Sequence, residues 1–274
     1  MRQGRRFFLN FSWKTTGSLG SLRNLNNTSA ARREAIYRTL IPASILQDPR
    51  WRAAGRNGPL IRYICPENLG LVRIEVRRSE ADRDCLFFMQ AADTPYGQLE
   101  LTLCIINNID GRRYDIDRDA EGRDNCLGTL TRNIPEEIDA MRAGLCPHQV
   151  LPGLGLFREF FCLFEQFAED LGIDTIVAEP LSYNTALLYE EMGFGYLCGY
   201  NLMRRIDAGF RDDGDLTQKL DGSSAFRQPG MNRTVRGRSW AIHDGILECS
   251  WDGIRIYKVI GQDAGIRTFS GLEW

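Results

Sequence analysis

Lysine and histidine are scarce in this chain of 274 residues. The only lysines are Lys14, Lys219 and Lys258, and the only histidines are His148 and His243. Two histidines are too few for a multi-histidine metal centre. The formal net charge of −2 gives the chain no general attraction to nucleic acid. We therefore expect neither a metal cofactor nor a nucleic-acid partner.

Paired cysteine motifs and long apolar runs are also missing. The eight cysteines are spread along the chain without a C-x-x-C pair, which argues against a zinc site and against a disulfide framework. No segment approaches the roughly 18 apolar residues of a membrane span. The apolar run near the N-terminus stops after Leu9, too early for a signal peptide. These features predict a protein without a membrane span in the reducing cytoplasm.

The overall composition is ordinary for a soluble globular protein. Hydrophobic residues make up 43% of the chain and charged residues 26%, and the length is enough to bury a sizeable core. We expect three parts: an N-terminal arm with helices (1–69), a central core (70–206), and a C-terminal β extension that completes or caps the core (207–274). The predicted helices span residues 28–41, 44–51 and 135–142, and the predicted strands span residues 71–77, 85–90, 98–106, 127–131, 238–245 and 253–260.

The segment from Pro147 to Tyr196 is the best punctuated part of the chain. Apolar residues recur at steps of three and four from Phe157 to Leu171, which predicts an amphipathic helix ended by Gly172. The short apolar run at 175–178 predicts a buried strand. A second helix is predicted from Ser182 to Met192, followed by an extended segment at 194–202.

A glycine pair precedes the first of these helices. Gly153 and Gly155 leave backbone amides open to a ligand, and the helix dipole adds partial positive charge there. The first acidic residue of the helix is Glu159, so no carboxylate competes at its start. The pair therefore indicates a phosphate site, with a simple tight loop as the alternative. Arg158 stands where a dinucleotide-binding G-x-G-x-x-G motif needs glycine.

The second helix carries a resemblance to a known family. Residues 182–194, S-Y-N-T-A-L-L-Y-E-E-M-G-F, resemble the signature helix and following strand of the GNAT acyltransferases. The resemblance implies that the pyrophosphate of acyl-CoA binds to the glycine loop before the preceding helix. Ser182 stands where the family usually has asparagine, and Asn184 follows two residues later. The implied cofactor-binding residues are Leu151, Gly153, Leu154, Gly155, Leu156, Ser182 and Asn184.

The resemblance also implies catalytic roles. Tyr189 corresponds to the family tyrosine whose hydroxyl protonates the departing thiolate, a role that chemistry favours because the developing charge needs a donor. The alternative is a tyrosine that only packs in the core. His243 is a candidate base for the amine, since a histidine side chain can exchange a proton near neutral pH; the alternative is a histidine that bonds a backbone group at a strand end. Glu75 is a rival base.

An acidic stretch near the middle of the chain partly matches the sequence of a calcium-binding loop. Asp117, Asp119 and Glu121 match the first alternate ligand positions, and Gly122 matches the invariant glycine. Position 12 is Gly128 instead of glutamate, so we expect a solvated acidic turn.

Together these observations predict an α/β, GNAT-like fold: a mostly antiparallel mixed sheet flanked by helices, with N-terminal helical and C-terminal β extensions. The expected function is transfer of an acyl group, acetyl in the simplest case, from acyl-CoA to a small-molecule amine or amino acid. The alternatives are an N-acyl amino acid or acyl-homoserine-lactone-type synthase fed by an acyl carrier protein, and a non-catalytic acyl-CoA-binding protein. The oligomeric state is left open.

Overall fold

One seven-stranded sheet organises the molecule. The computed structural model describes residues 19–53, 58–119, 121–125 and 131–269. Within these residues the strands are β1 (Leu60–Ile64), β2 (Leu71–Arg77), β3 (Phe87–Asp93), β4 (Leu99–Ile106), β5 (Thr175–Ala178), β6 (Gly195–Cys198) and β7 (Arg255–Val259), in the spatial order β1-β2-β3-β4-β5-β7-β6.

Only one neighbouring pair in the sheet is parallel. β4 and β5 run in the same direction, and all the other pairs are antiparallel. The last strand of the chain, β7, lies between β5 and β6. The prediction of a mostly antiparallel mixed sheet flanked by helices is therefore confirmed.

Ten α-helices surround this sheet in the described residues. They are α1 (Leu22–Asn26), α2 (Ala30–Arg38), α3 (Ala43–Leu46), α4 (Arg50–Ala53), α5 (Ile134–Arg142), α6 (Phe157–Leu171), α7 (Tyr183–Glu191), α8 (Tyr200–Gly209), α9 (Asp215–Gln218) and α10 (Val235–His243). A 3₁₀ turn at Met231–Arg233 precedes α10.

The longest helix, α6, supplies most of the main core. Phe160, Phe161, Phe164 and Phe167 are buried on one face, because their spacing places them on a single stripe. Burial of each such side chain contributes roughly 1.5–3 kcal/mol. The helix ends as predicted at Gly172, which adopts the left-handed conformation (φ 79°) that glycine tolerates best.

The sheet presents alternate residues to this helix. Val72, Ile74 and Val76 of β2 are fully buried, and the residues between them are half-buried. Phe87 of β3 meets Phe160 edge-on, with ring centroids 5.5 Å apart. The alternation predicted for β2 is therefore confirmed, and its buried side faces α6.

The C-terminal β extension is the main error of the sequence prediction. Residues 238–245 were expected to form a strand but belong to α10 and the turn after it. Thr234 begins α10, where its Oγ1 accepts a hydrogen bond from the Gly237 amide (2.9 Å). Because α10 is buried nearly all round, its sequence lacks the one-sided apolar stripe of a surface helix.

Smaller differences concern element ends. The extended segment after Phe194 stops at Cys198, since Gly199 turns the chain (φ 94°) into α8. The helix expected at 44–51 is split into α3 and α4, and strand β1 was not predicted. The strand expected at 127–131 falls almost entirely outside the described residues.

Candidate functional site

A gap opens in the sheet between β4 and β5. The two strands pair only at Leu99 with Ile176 and at Glu100 with Val177. Immediately beyond, β4 contains one extra residue, Thr102, because Leu101 and Leu103 oppose consecutive residues of β3. Such a bulge bends a strand and increases its twist. β5 itself ends at Ala178, one residue after its last β4 partner, so the rest of β4 continues without pairing to β5.

The loop that contains Gly153 and Gly155 (151–156), which we call the glycine turn, lies at the open end of this gap. The Leu154 amide donates to the Ile106 carbonyl (3.3 Å), and the Asn108 amide donates to the Pro152 carbonyl (2.7 Å). Asn107 donates instead to Leu86, on the β3 side (2.9 Å). Since backbone groups alternate along a strand, Ile106 directs its carbonyl toward the β5 side. The turn is thus attached to β4 on the side where β4 no longer pairs with β5.

The start of α6 is open to solvent. Its N-cap residue is Leu156, and no side chain in the described ranges caps the helix. Within the described part of the chain, the amides of residues 155–159 have no hydrogen-bond acceptor. Gly153, Gly155 and Arg158 are exposed. Four or more amides at a helix start with no internal acceptor form a site suited to an anion.

The nearest carboxylate is held away from these amides. Glu159 accepts hydrogen bonds from the Ala43 amide (3.1 Å) and from the Ser44 hydroxyl (3.4 Å), both at the start of α3. Arg158 forms an exposed ion pair with Glu191 at the end of α7 (3.2 Å). An exposed pair of this kind is weak, so the guanidinium is available to an anion at the helix start. This role of Arg158 has no local sequence signal, since in the sequence the residue only excludes a dinucleotide-binding motif.

Partly buried apolar side chains form a wall where β4, the glycine turn and α6 meet. Cys104 and Ile106 come from β4, Leu154 and Leu156 from the glycine turn, and Phe157 from the first turn of α6; all pack against the main core. Burial raises the pKa of the Cys104 thiol, which therefore stays protonated at neutral pH. The wall suits the uncharged part of an elongated ligand.

Tyr189 of α7 lies beside this wall. Its ring meets Phe157 edge-on (5.5 Å between centroids) and Phe194 (4.8 Å), and 6% of the residue is exposed. Burial, with a smaller contribution from Cys104, raises the pKa of Tyr189 far above that of a free phenol. Its hydroxyl has no hydrogen-bond partner among the residues that the structure describes. The site therefore contains a protonated phenol with an unused donor.

Ser182 and Asn184 lie at the other end of α7. Ser182 is the N-cap residue, as predicted, but its hydroxyl bonds Asn184 Oδ1 (2.9 Å) and Thr185 Oγ1 (2.8 Å) instead of a backbone amide. At a rise of about 1.5 Å per residue, Ser182 is about 10 Å along the helix axis from Tyr189. The predicted cofactor-binding residues therefore lie at two separate places, the glycine turn before α6 and the start of α7.

The structure does not bring His243 to Tyr189. His243 ends α10, where Nε2 lies 3.1 Å from Glu137 Oε1, and its ring contacts His148 (4.8 Å) and Trp240 (5.7 Å). The described neighbours of Tyr189 belong to a different apolar cluster. The rival base Glu75 lies on β2 and is 3.8 Å from Arg77.

Arginines form ion pairs with the carboxylates of the acidic stretch. Arg113 Nη2 contacts Asp117 (2.6 Å), and Arg123 Nε contacts Asp119 (2.8 Å). Across the described residues, no group of three potential ligands could hold a metal ion.

Comparison with known proteins gives no relative: no protein-family model, no curated protein and no solved structure matches this chain. In the described ranges, no helix has the length and apolar character needed to cross a membrane.

Proposed function

We propose that the protein transfers an acyl group from an acyl-CoA to an amine. The observation that carries this proposal is the pairing, through Phe157, of an uncapped helix start with the unused hydroxyl of Tyr189. One end suits the phosphates of a nucleotide and the other suits a leaving thiolate. The resemblance of residues 182–194 to the GNAT family supports the proposal, and with it the proposal that the sheet is of the GNAT type.

The donor would lie along the gap between β4 and β5. Its pyrophosphate would accept hydrogen bonds from the amides of residues 155–159, with Arg158 adding a positive charge. Its uncharged arm would pass over Phe157 and Cys104, beside the edge of β4 that β5 leaves unpaired. Ligands of α/β sheets commonly bind at the carboxyl ends of strands, which is where this gap opens.

The chemistry would be a direct transfer. The amine nitrogen attacks the thioester carbonyl, the carbon–sulfur bond breaks, and the sulfur takes a proton from the Tyr189 hydroxyl. The proton that the amine releases restores the phenol, so the products are an amide and free CoA. A protonated tyrosine is matched to this role because the charge on sulfur develops only as the bond breaks.

Two alternatives share the α6 site. A synthase fed by an acyl carrier protein would use the same thioester chemistry, whereas a non-catalytic acyl-CoA-binding protein would need only the helix start. Mass spectrometry of ligands retained by the purified protein separates the two donors, and turnover separates catalysis from binding.

The phosphate site is tested by CoA titration calorimetry on two variants of Gly155. Asparagine and aspartate have nearly the same shape and both tolerate the left-handed backbone (φ 70°), where an added Cβ meets no atom within 4 Å. Gly155→Asp places a carboxylate at the helix start and should weaken CoA binding about 10-fold or more, or about 1.4 kcal/mol. Gly155→Asn should bind CoA nearly as the parent does.

A glycine elsewhere controls for backbone strain. Gly222 has φ 79° and equally open surroundings, so Gly222→Asp carries the same conformational cost without a charge at α6. Its CoA affinity should equal that of the parent. Equal CoA affinity in Gly155→Asp and Gly155→Asn, or no CoA binding by the parent, would refute the site.

A further inference from the structure

A second cavity lies outside the gap, beside the turn that follows β4. Its volume is about 290 Å³. Its apolar wall consists of Trp51, Leu86 and Ile109, and its polar rim consists of Arg50, Arg78 and Asp110. A small concave site with an apolar wall and a few converging polar groups has the usual composition of a ligand pocket.

Two arginines converge on a single carboxylate at the rim. Arg50 Nη1 bonds Asp110 Oδ2, and Arg78 Nη1 bonds Asp110 Oδ1 (3.0 Å). Each oxygen of the carboxylate therefore has its own guanidinium. This arrangement is matched to the two oxygens of a carboxylate.

Each guanidinium is oriented from behind by another acid. Arg50 Nε lies 2.8 Å from Asp48 Oδ2, and Arg78 Nη2 lies 3.3 Å from Asp82 Oδ1. These contacts leave Nη1 of Arg50 and Nη1 of Arg78 directed at the position of the Asp110 carboxylate. The guanidinium groups of Arg50 and Arg78, which we call the clamp, therefore keep their positions whichever carboxylate lies between them.

Asp110 is an exchangeable occupant. Its side chain is 46% exposed at the tip of the turn 107–111, and the two arginines are about half exposed. Ion pairs this open to water contribute little to stability, so another carboxylate can replace Asp110 at small cost. Trp51 is rigid by comparison, because it is buried and its Nε1 donates to the Ile45 carbonyl (2.8 Å).

We propose that this cavity binds a small molecule with an apolar body and a carboxylate. The body lies against Trp51, Leu86 and Ile109, and the carboxylate takes the place of Asp110 between Arg50 and Arg78. Asp110 then turns into solvent, and its charge weakens binding of the anionic ligand. The inference stands independently of the proposed acyl transfer.

The test is a titration of the full chain with benzoate, followed by the indole N–H signal of Trp51 in NMR spectra. The chain has five tryptophans, and Trp51→Phe identifies the signal. Benzoate should shift it saturably, while the neutral analogue benzamide should bind about 10-fold more weakly or not at all. Equal binding of benzamide, or tighter binding of phenyl phosphate than of benzoate, would overturn the carboxylate assignment.

Three variants identify the clamp. Asp110→Asn removes the internal competitor and should strengthen benzoate binding about 3-fold, a gain that misfolding cannot produce. Arg78→Gln should weaken it about 10-fold. Asp139→Asn, in a comparably exposed pair with Arg112 elsewhere (2.9 Å), should leave it unchanged. Unaltered or weaker binding in Asp110→Asn would show that the carboxylate does not enter the clamp.

Discussion

The Tyr189 ring is buried, but its hydroxyl oxygen is not a fully buried polar atom, so water or a ligand can reach it. The residue is 6% exposed, its ring packs against Phe157 and Phe194 near Cys104, and none of these three side chains offers a strong acceptor. The hydroxyl is therefore available to a ligand atom, which is the explanation that the proposed acyl transfer uses.

Tyr189→Phe tests that explanation directly. Because the hydroxyl makes no described hydrogen bond, its removal should leave the thermal midpoint almost unchanged. The release of free CoA from an acyl-CoA in the presence of an amine acceptor should fall about 10- to 100-fold, since a proton donor contributes at least that much. Tyr200→Phe, which alters a more exposed phenol at the start of α8, should retain full turnover. Undiminished turnover in Tyr189→Phe would remove the assigned role.

Single residues show how far sequence could define the site. The resemblance of residues 182–194 pointed to Tyr189 and the glycine pair pointed to the start of α6, because both signals are local; the roles of these residues stay predictions. The neighbours Phe157 and Cys104 were out of reach, since their contacts with Tyr189 depend on how β4 and α6 pack against α7. His243 was a candidate base because of its residue type, but its pairing with Glu137 depends on two helices distant in sequence.

At the scale of elements, the β4 bulge lies where the pairing between β4 and β5 stops. Strict alternation along residues 99–106 would place Leu103 and Ile105 on the face occupied by Leu101. Past Thr102 the structure places Cys104 opposite Met89 and Ile106 opposite Phe87, both of which are fully buried. The bulge therefore moves Cys104 and Ile106 onto the α6 face. An apolar run carries no sequence signal for such a shift.

Deletion of Thr102 should close the gap. Residues after the bulge would keep their β3 partners, so their side chains would stay on the same faces and the protein should still fold. A straighter β4 would pair with β5 beyond Glu100 and narrow the donor site. CoA affinity should fall about 10-fold or more while the circular dichroism spectrum is retained. Parent-like CoA binding by the folded deletion variant would show that the bulge does not open the site.

Helices α6 and α10 illustrate why prediction succeeded in one case and failed in the other. α6 buries a stripe of phenylalanines and leaves its other side exposed, so its period appears in the sequence. α10 is enclosed on most sides, with Arg238 buried against Asp207 (3.1 Å) and Trp240 bonded to the Leu145 carbonyl (2.8 Å). Because polar and apolar positions of α10 are both buried, its sequence does not show the helical period of apolar residues.

At the scale of the whole molecule, the segment after β6 takes part in every apolar cluster. Ile256 of β7 belongs to the main core, Met203 of α8 to a second cluster with α7, and Trp240 to a third beside α5. The sequence indicated strand β7 but could not indicate its place between β5 and β6. That place depends on pairing across about 80 residues, which local patterns do not encode.

The third cluster makes stability depend on pH through Glu137. This residue is 2% exposed, and burial alone would raise its pKa; hydrogen bonds from His243 and Arg132 outweigh burial and lower the pKa below the ordinary value. A carboxyl whose pKa is lower in the folded state stabilises the fold at neutral pH. That contribution is lost as the pH falls through the folded-state value.

Urea unfolding between pH 7 and pH 3 should therefore show a declining free energy of unfolding below about pH 5. Glu137→Gln removes the carboxylate that His243 and Arg132 share and leaves Arg132 only its bond to Asp244, so it should cost about 3 kcal/mol at pH 7 and flatten the acid decline. Glu121→Gln, which alters an exposed carboxylate paired with Arg123, should keep both the stability and the pH dependence of the parent. An acid decline of the same steepness in Glu137→Gln would assign the pH dependence to other carboxylates, of which Asp244, held by Arg132 in the same cluster (2.8 Å), is the next to replace.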